Sequence, residues 1–184
     1  MAQFNIPTID QVSAQNQEIF EQLKGKLGFV PNIYAYIGKH DTGLGDYLNF
    51  SGRKSTLSNR EKEVINLTVS EYNGCEYCLS AHTQISKMNG FSEEEIIQIR
   101  SGNIQFDDKL KTLGEFAKKV AQNKGNVDES SQTAFFNAGY NEKDLIDVVL
   151  SISEISVTNI IHNLTKINVD FPKALPLEGI SQAS

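Results

Sequence analysis

Residues 57–83 read LSNREKEVINLTVSEYNGCEYCLSAHT, and this stretch decides the fold. Ser58 stands three residues before Glu61, the spacing of a capping box, in which a hydroxyl and a carboxylate satisfy the N–H groups that open a helix. Val64, Ile65, Leu67 and Val69 follow as its apolar residues. Asn73-Gly74 ends it, because glycine readily takes the left-handed backbone that closes a helix. A second helix is expected from about Cys75 to Met88, where Asn89-Gly90 stops it. Two helices thus meet at a short turn, and both cysteines of the chain lie just past that turn.

Outward from this hairpin the pattern stays helical. DQVSAQNQEIFEQLK at 10–24 reads as an amphipathic helix ending near Gly25. Pro31 is expected to start a helix through Tyr34 and Ile37, and 44–53 a further short one. Ser92 and Glu95 form another capping box, followed by helices at 107–123 and 129–138. EKDLIDVVLSISEISVTNIIHNLTKI at 142–167 has some strand propensity at Val148, Val149 and Ile152, but its length favours helix. The segment 168–184 is expected to be extended. NGFSEEEI at 89–96 and AGYNEKDL at 138–145 echo one another, suggesting two weakly repeated helical units, although a common turn type would give the same echo. The fold class read from this pattern is all-α, with 1–184 as a single domain.

The totals exclude several classes. The composition is that of a folded protein, with 39% hydrophobic and 22% charged residues. A formal net charge of -6 leaves no basic surplus for a nucleic-acid backbone. No apolar run approaches the roughly 18 residues of a membrane span, so no membrane partner is expected. The start MAQFNIPTID has neither the basic nor the apolar region of a secretory signal. Two cysteines do not make a secreted disulfide framework, so a reducing, cytoplasmic setting is the expectation.

In a helix beginning near Cys75, the positions of Cys75, Cys78 and His82 fall within about 60° of one face. Three readings of this cluster are open. As a redox dithiol, the thiols would gain from the roughly half positive charge at the helix start, which lowers thiol pKa values and by itself favours Cys75. His82, one turn beyond Cys78, could pass its proton. As a structural zinc site the three residues fall one ligand short, and His40, His162 or Glu63 would have to complete it. As buried small residues they would carry no chemistry. A thioredoxin setting is excluded by the helical flanks. His162, in the apolar NIIHNL, reads as a hydrogen-bonded core residue; His40, Glu71 and Glu76 read as solvated.

The stretch 57–83 resembles the AhpD-like and carboxymuconolactone decarboxylase superfamily, whose redox members carry a Glu, a C-x-x-C twelve residues on, and a His four after the second Cys. Glu63, Cys75, Cys78 and His82 match it. FVPN at 29–32 and NVDFP at 168–172 are similar to a peroxidase-related branch. The resemblance implies an AhpD-like helical bundle, homo-oligomeric, reducing organic hydroperoxides or hydrogen peroxide without haem, flavin, metal or other cofactor. It implies Cys78 as the attacking thiol, Cys75 as the resolving one, and Glu63 with His82 as a proton relay. It also implies a dithiol reductant, lipoyl-type or another small one. Some members have a second His immediately before the second Cys, where this chain has Tyr77, a poor base at neutral pH that could orient water or substrate, or pack. Two other readings stand beside peroxide reduction: a non-enzymatic redox sensor or interaction protein, and a lactone decarboxylase, which does not need the dithiol.

Overall fold

The computed structural model describes residues 4–177, and among these every regular element is helical. A 3-10 turn at Ile9–Gln11 leads into α1 (Ala14–Leu27), α2 (Asn32–Ile37), α3 (Gly43–Ser51), α4 (Asn59–Tyr72) and α5 (Glu76–Met88). Then come α6 (Glu93–Ser101), α7 (Asp108–Gln122), α8 (Glu129–Asn137) and α9 (Glu142–Thr165). The first helix departs from the sequence expectation. It runs past Gly25 to Leu27, because Gly28, at φ 84°, is the residue that takes the left-handed closing conformation and returns its N–H to Lys24.

Helix α4 is the hub, packed against α5, α6, α7 and α9. Eight consecutive residues, Glu63 to Ser70, are buried, so no face of its middle turns meets water. A helix enclosed in this way has to carry apolar side chains all round or satisfy every polar one internally. The main core gathers around it, including Val64, Ile65, Leu67, Ile96, Ile99, Leu113, Phe135 and Val148. At its far side Phe135 is stacked between Phe116 and Tyr140, with ring centroids 4.4 and 4.6 Å away. A smaller cluster of Val12, Phe20, Ala35 and Leu44 seats α1, α2 and α3. There the buried Asn16 amide donates to the carbonyls of Gly38 and His40, at 2.8 and 2.9 Å.

The sequence echo is a stop–start turn used twice. Gly90 (φ 84°) and Gly139 (φ 93°) close one helix, Phe91 and Tyr140 bury their rings, and Ser92/Glu95 and Asn141/Asp144 box the next start. The helices that follow differ greatly, nine residues in α6 against 24 in α9. Helix α9 is long and apolar enough to cross a membrane by length and composition. It nevertheless packs on α3, α4, α5 and α7, and buries Asp144, Asp147, Asn159 and His162.

Truncating the stacked ring with Phe135→Ala is expected to cost about 3–5 kcal/mol, the usual range for a large core side chain. Chemical denaturation of the variant checks this.

Candidate active site

The turn between α4 and α5 builds the dithiol. Gly74 has φ 63°, and the next N–H, that of Cys75, reaches back 3.0 Å to the Ser70 carbonyl, closing α4. Cys75 is at the same time the cap of α5, its Sγ accepting the Cys78 N–H at 3.2 Å. Both cysteines are buried free thiols. Cys78 donates towards Thr158 Oγ1 of α9 at 3.6 Å, and that hydroxyl in turn donates to the Ile155 carbonyl.

The two thiols push each other's pKa values apart. Contact with the Cys78 side chain lowers that of Cys75 most; burial opposes this, and His162 and the Cys78 N–H add to the lowering. Cys78 is pushed up, first by that contact, then by burial and by charge on Cys75. Of the two, Cys75 is the one whose surroundings favour the thiolate.

Glu63 is buried in α4 and its carboxylate is fully engaged. Oε2 meets His82 Nδ1 at 2.8 Å and accepts from Ser86 Oγ at 3.3 Å, while Oε1 accepts from the Asn66 amide at 3.1 Å. Burial pulls the His82 pKa down, but the charge and hydrogen bond of Glu63 outweigh it and the net shift is upward. Such a group stabilises the fold fully below the ordinary histidine pKa and loses that contribution as pH rises through its own raised value.

Cys78 and His82 line an apolar cavity of about 340 Å³. Phe29, Tyr34, Tyr47, Tyr77 and Phe171 form aromatic walls, and Glu154 adds a carboxyl whose pKa burial raises against the pull of Arg53, 3.0 Å away. Cys75 and Glu63 do not line it. Of the two sulfurs, that of Cys78 is the one beside the cavity, while Cys75 and the Glu63 carboxylate lie away from it.

Tyr77 is neither base nor loose packing. Its hydroxyl donates to Asp170 Oδ1 at 2.6 Å and accepts from the Ile33 N–H at 3.2 Å. The other Asp170 oxygen accepts the Asn32 N–H at 2.7 Å, the Asn32 side chain donates to the Asn168 carbonyl, and Phe171 packs edge-on against Phe29 and Tyr77. FVPN and NVDFP, far apart in the chain, therefore close on one another over the cavity, with Tyr77 as the pin. Sequence reasoning quoted both stretches but did not pick out Asp170; their shared place beside one motif was the available signal.

His162 departs from the hydrogen-bonded core residue expected of it. It is buried against Tyr77, its ring 5.5 Å away, but its Nδ1 has no hydrogen-bond partner. His40 and Glu76 are exposed, His40 Nδ1 accepting the Gly43 N–H and Glu76 pairing with Lys173, while Glu71 pairs with the buried Arg100. Among the described residues no group of three or more His, Cys, Asp or Glu is placed to hold a metal ion.

A model of the carboxymuconolactone decarboxylase family matches residues 39–105, which include Glu63, both cysteines and His82. No curated protein matches the chain. Among solved structures, a peroxidase-related protein from Silicibacter sp. TM1040 has TM-score 0.78 and 22% identity, over 95% of this chain and 93% of that one. A structure described as alkylhydroperoxidase AhpD core, an uncharacterized peroxidase-related protein from Ralstonia eutropha JMP134, has TM-score 0.83 and 18% identity, over 91% and 92%. The debrominase Bmp8, a cysteine-to-alanine variant with 2,3,4-tribromopyrrole, has TM-score 0.71 and 16% identity, over 85% and 86%. These likenesses establish the AhpD-like helical fold.

In Glu63→Gln, burial acts on His82 without the carboxylate, and the imidazole is expected to titrate below about 6.5 rather than above it. Histidine NMR titration of both proteins measures the reversal.

Proposed function

We propose that this chain, whose residues 39–105 match a model of the carboxymuconolactone decarboxylase family, reduces hydroperoxides through a reversible Cys75–Cys78 disulfide. One observation carries the reading: Cys78 and His82 share the wall of a largely apolar cavity, with Cys75 bonded to the Cys78 N–H and Glu63 to His82.

The resting proton on Cys78 passes to the neighbouring Cys75 sulfur. The Cys78 thiolate attacks the outer peroxide oxygen, the O–O bond breaks, and the charged His82 gives its proton to the departing alkoxide. Cys78 is left as a sulfenic acid. Cys75, as thiolate, attacks that sulfur, forming the disulfide and releasing hydroxide, which takes a proton to become water. A dithiol then restores both thiols, and no cofactor is needed. The proposed setting is a reducing, cytoplasmic compartment, where a C-x-x-C pair serves catalysis more often than structure.

The aromatic walls favour a bulky organic hydroperoxide over hydrogen peroxide. They also suit a second substrate class, a halogenated aromatic ring, which the same dithiol could reduce to the ring hydride and halide; bromide release from a tribromopyrrole would identify it.

A homo-oligomer is part of the proposal. Ile146, Val149, Val157, Ile160 and Leu164 are exposed on α9. At 100° per residue they fall within an arc of about 80°, an apolar stripe suited to a second copy.

Two outcomes are expected. Cys78→Ser should reduce peroxide consumption, with any competent dithiol, to the uncatalysed rate, and retained turnover would refute the assignment. Ile160→Asp together with Leu164→Asp should convert the assembly to a 20.4 kDa monomer in sedimentation.

A further inference from the structure

Cys75 is wholly buried and does not line the cavity, so neither bulk water nor a substrate can relieve it of a proton. Yet the proposed chemistry leaves one there. When Cys78 becomes the attacking thiolate, the proton shared by the pair moves to Cys75, and a protonated Cys75 cannot close the disulfide. His82 cannot collect it, being tied to Glu63 through Nδ1 and facing the cavity beside Cys78.

Behind the dithiol stands a different imidazole. His162 lies on α9, packed onto α5, and is 3% exposed. Its ring lies 5.5 Å from that of Tyr77 and near enough to the Cys75 thiol to lower that thiol's pKa. A buried ring nitrogen without a partner is unfavourable in a purely structural histidine, because desolvating it gains nothing in return. The other ionisable groups around the ring are Tyr77, whose hydroxyl is committed to Asp170, the exposed Glu76 at the start of α5, and Lys166 at the end of α9.

We infer that His162 is the proton acceptor for Cys75, so that the site uses two imidazoles, His82 for the leaving group in the cavity and His162 for the resolving thiol behind it. The inference rests on the Cys78-attacks, Cys75-resolves order proposed above. His162 takes the proton from Cys75. The thiolate attacks Cys78, a sulfur–sulfur bond forms, and the group on Cys78 leaves as an anion. The proton held by His162 is released once the charge beside it has gone. Tyr77, between the two cysteines in sequence, cannot serve as this second base, because its hydroxyl is committed to Asp170 and the Ile33 N–H.

The test separates closure from attack and does not depend on peroxide. The reduced protein is mixed with an aromatic disulfide that releases a coloured thiolate. One equivalent leaves as Cys78 forms a mixed disulfide, and a second as Cys75 displaces the remaining aromatic thiolate. In His162→Gln the first phase is expected to hold within about twofold. The second should slow by about a hundredfold, the lower end for loss of a general base, and recover as pH rises and Cys75 loses its proton unaided. An unchanged second phase would overturn the inference, as would equal slowing of both phases, which marks a packing effect. If the second phase depends on His162 but peroxide is not consumed, the peroxide reading falls and this one stands. Should the variant not fold, His162→Asn is the second choice.

Discussion

The carboxylate of Glu63 is the constraint from which the site follows. It sits on a helix whose middle turns are enclosed on every side, where an ionised carboxyl without partners would be expelled or neutralised. Three neighbours satisfy it, Asn66 from its own helix and His82 and Ser86 from α5. That arrangement fixes the rotation of α5 against α4. Once His82 is turned to Glu63, Cys78, one turn earlier on the same face, faces the cavity, and Cys75 falls at the helix cap. The electrostatic requirement of one buried group thus sets the aim of the sulfur chemistry.

The α4–α5 turn supplies the second requirement. A glycine in left-handed backbone lets one residue, Cys75, both terminate a helix and cap the next. A cysteine at a cap accepts an N–H bond with its sulfur, which favours the thiolate. The low-pKa thiol is consequently the enclosed one, while the thiol beside the cavity is the less acidic. The proposed mechanism reconciles the two assignments, one from helix electrostatics and one from family resemblance, by proton transfer within the pair: charge favoured at Cys75 would be used at Cys78.

The hairpin was legible because its signals are local. Ser58/Glu61, Asn73-Gly74 and the one-face spacing of Cys75, Cys78 and His82 act within a few turns of chain, and they gave the helices and three members of the site, while Glu63 came from the family resemblance. The end of α1 was misplaced because two glycines stand three residues apart and only the backbone angle at Gly28 distinguishes them. Asp170, Thr158, Glu154 and the role of His162 were not legible. Each reaches the site from α9 or the segment after it, as with the 93 residues between Tyr77 and Asp170, and periodicity states that α9 has an apolar face without stating which residue of α5 it meets. That His162 is buried beside Tyr77 was not legible for the same reason.

The central claim is that Cys75 and Cys78 form one two-electron centre driven by peroxide at the cavity. Counting thiols before and after one equivalent of cumene hydroperoxide tests it without presuming a partner. The account predicts the loss of both thiols and their return with a dithiol. Retention of both thiols at the end of the reaction would contradict it.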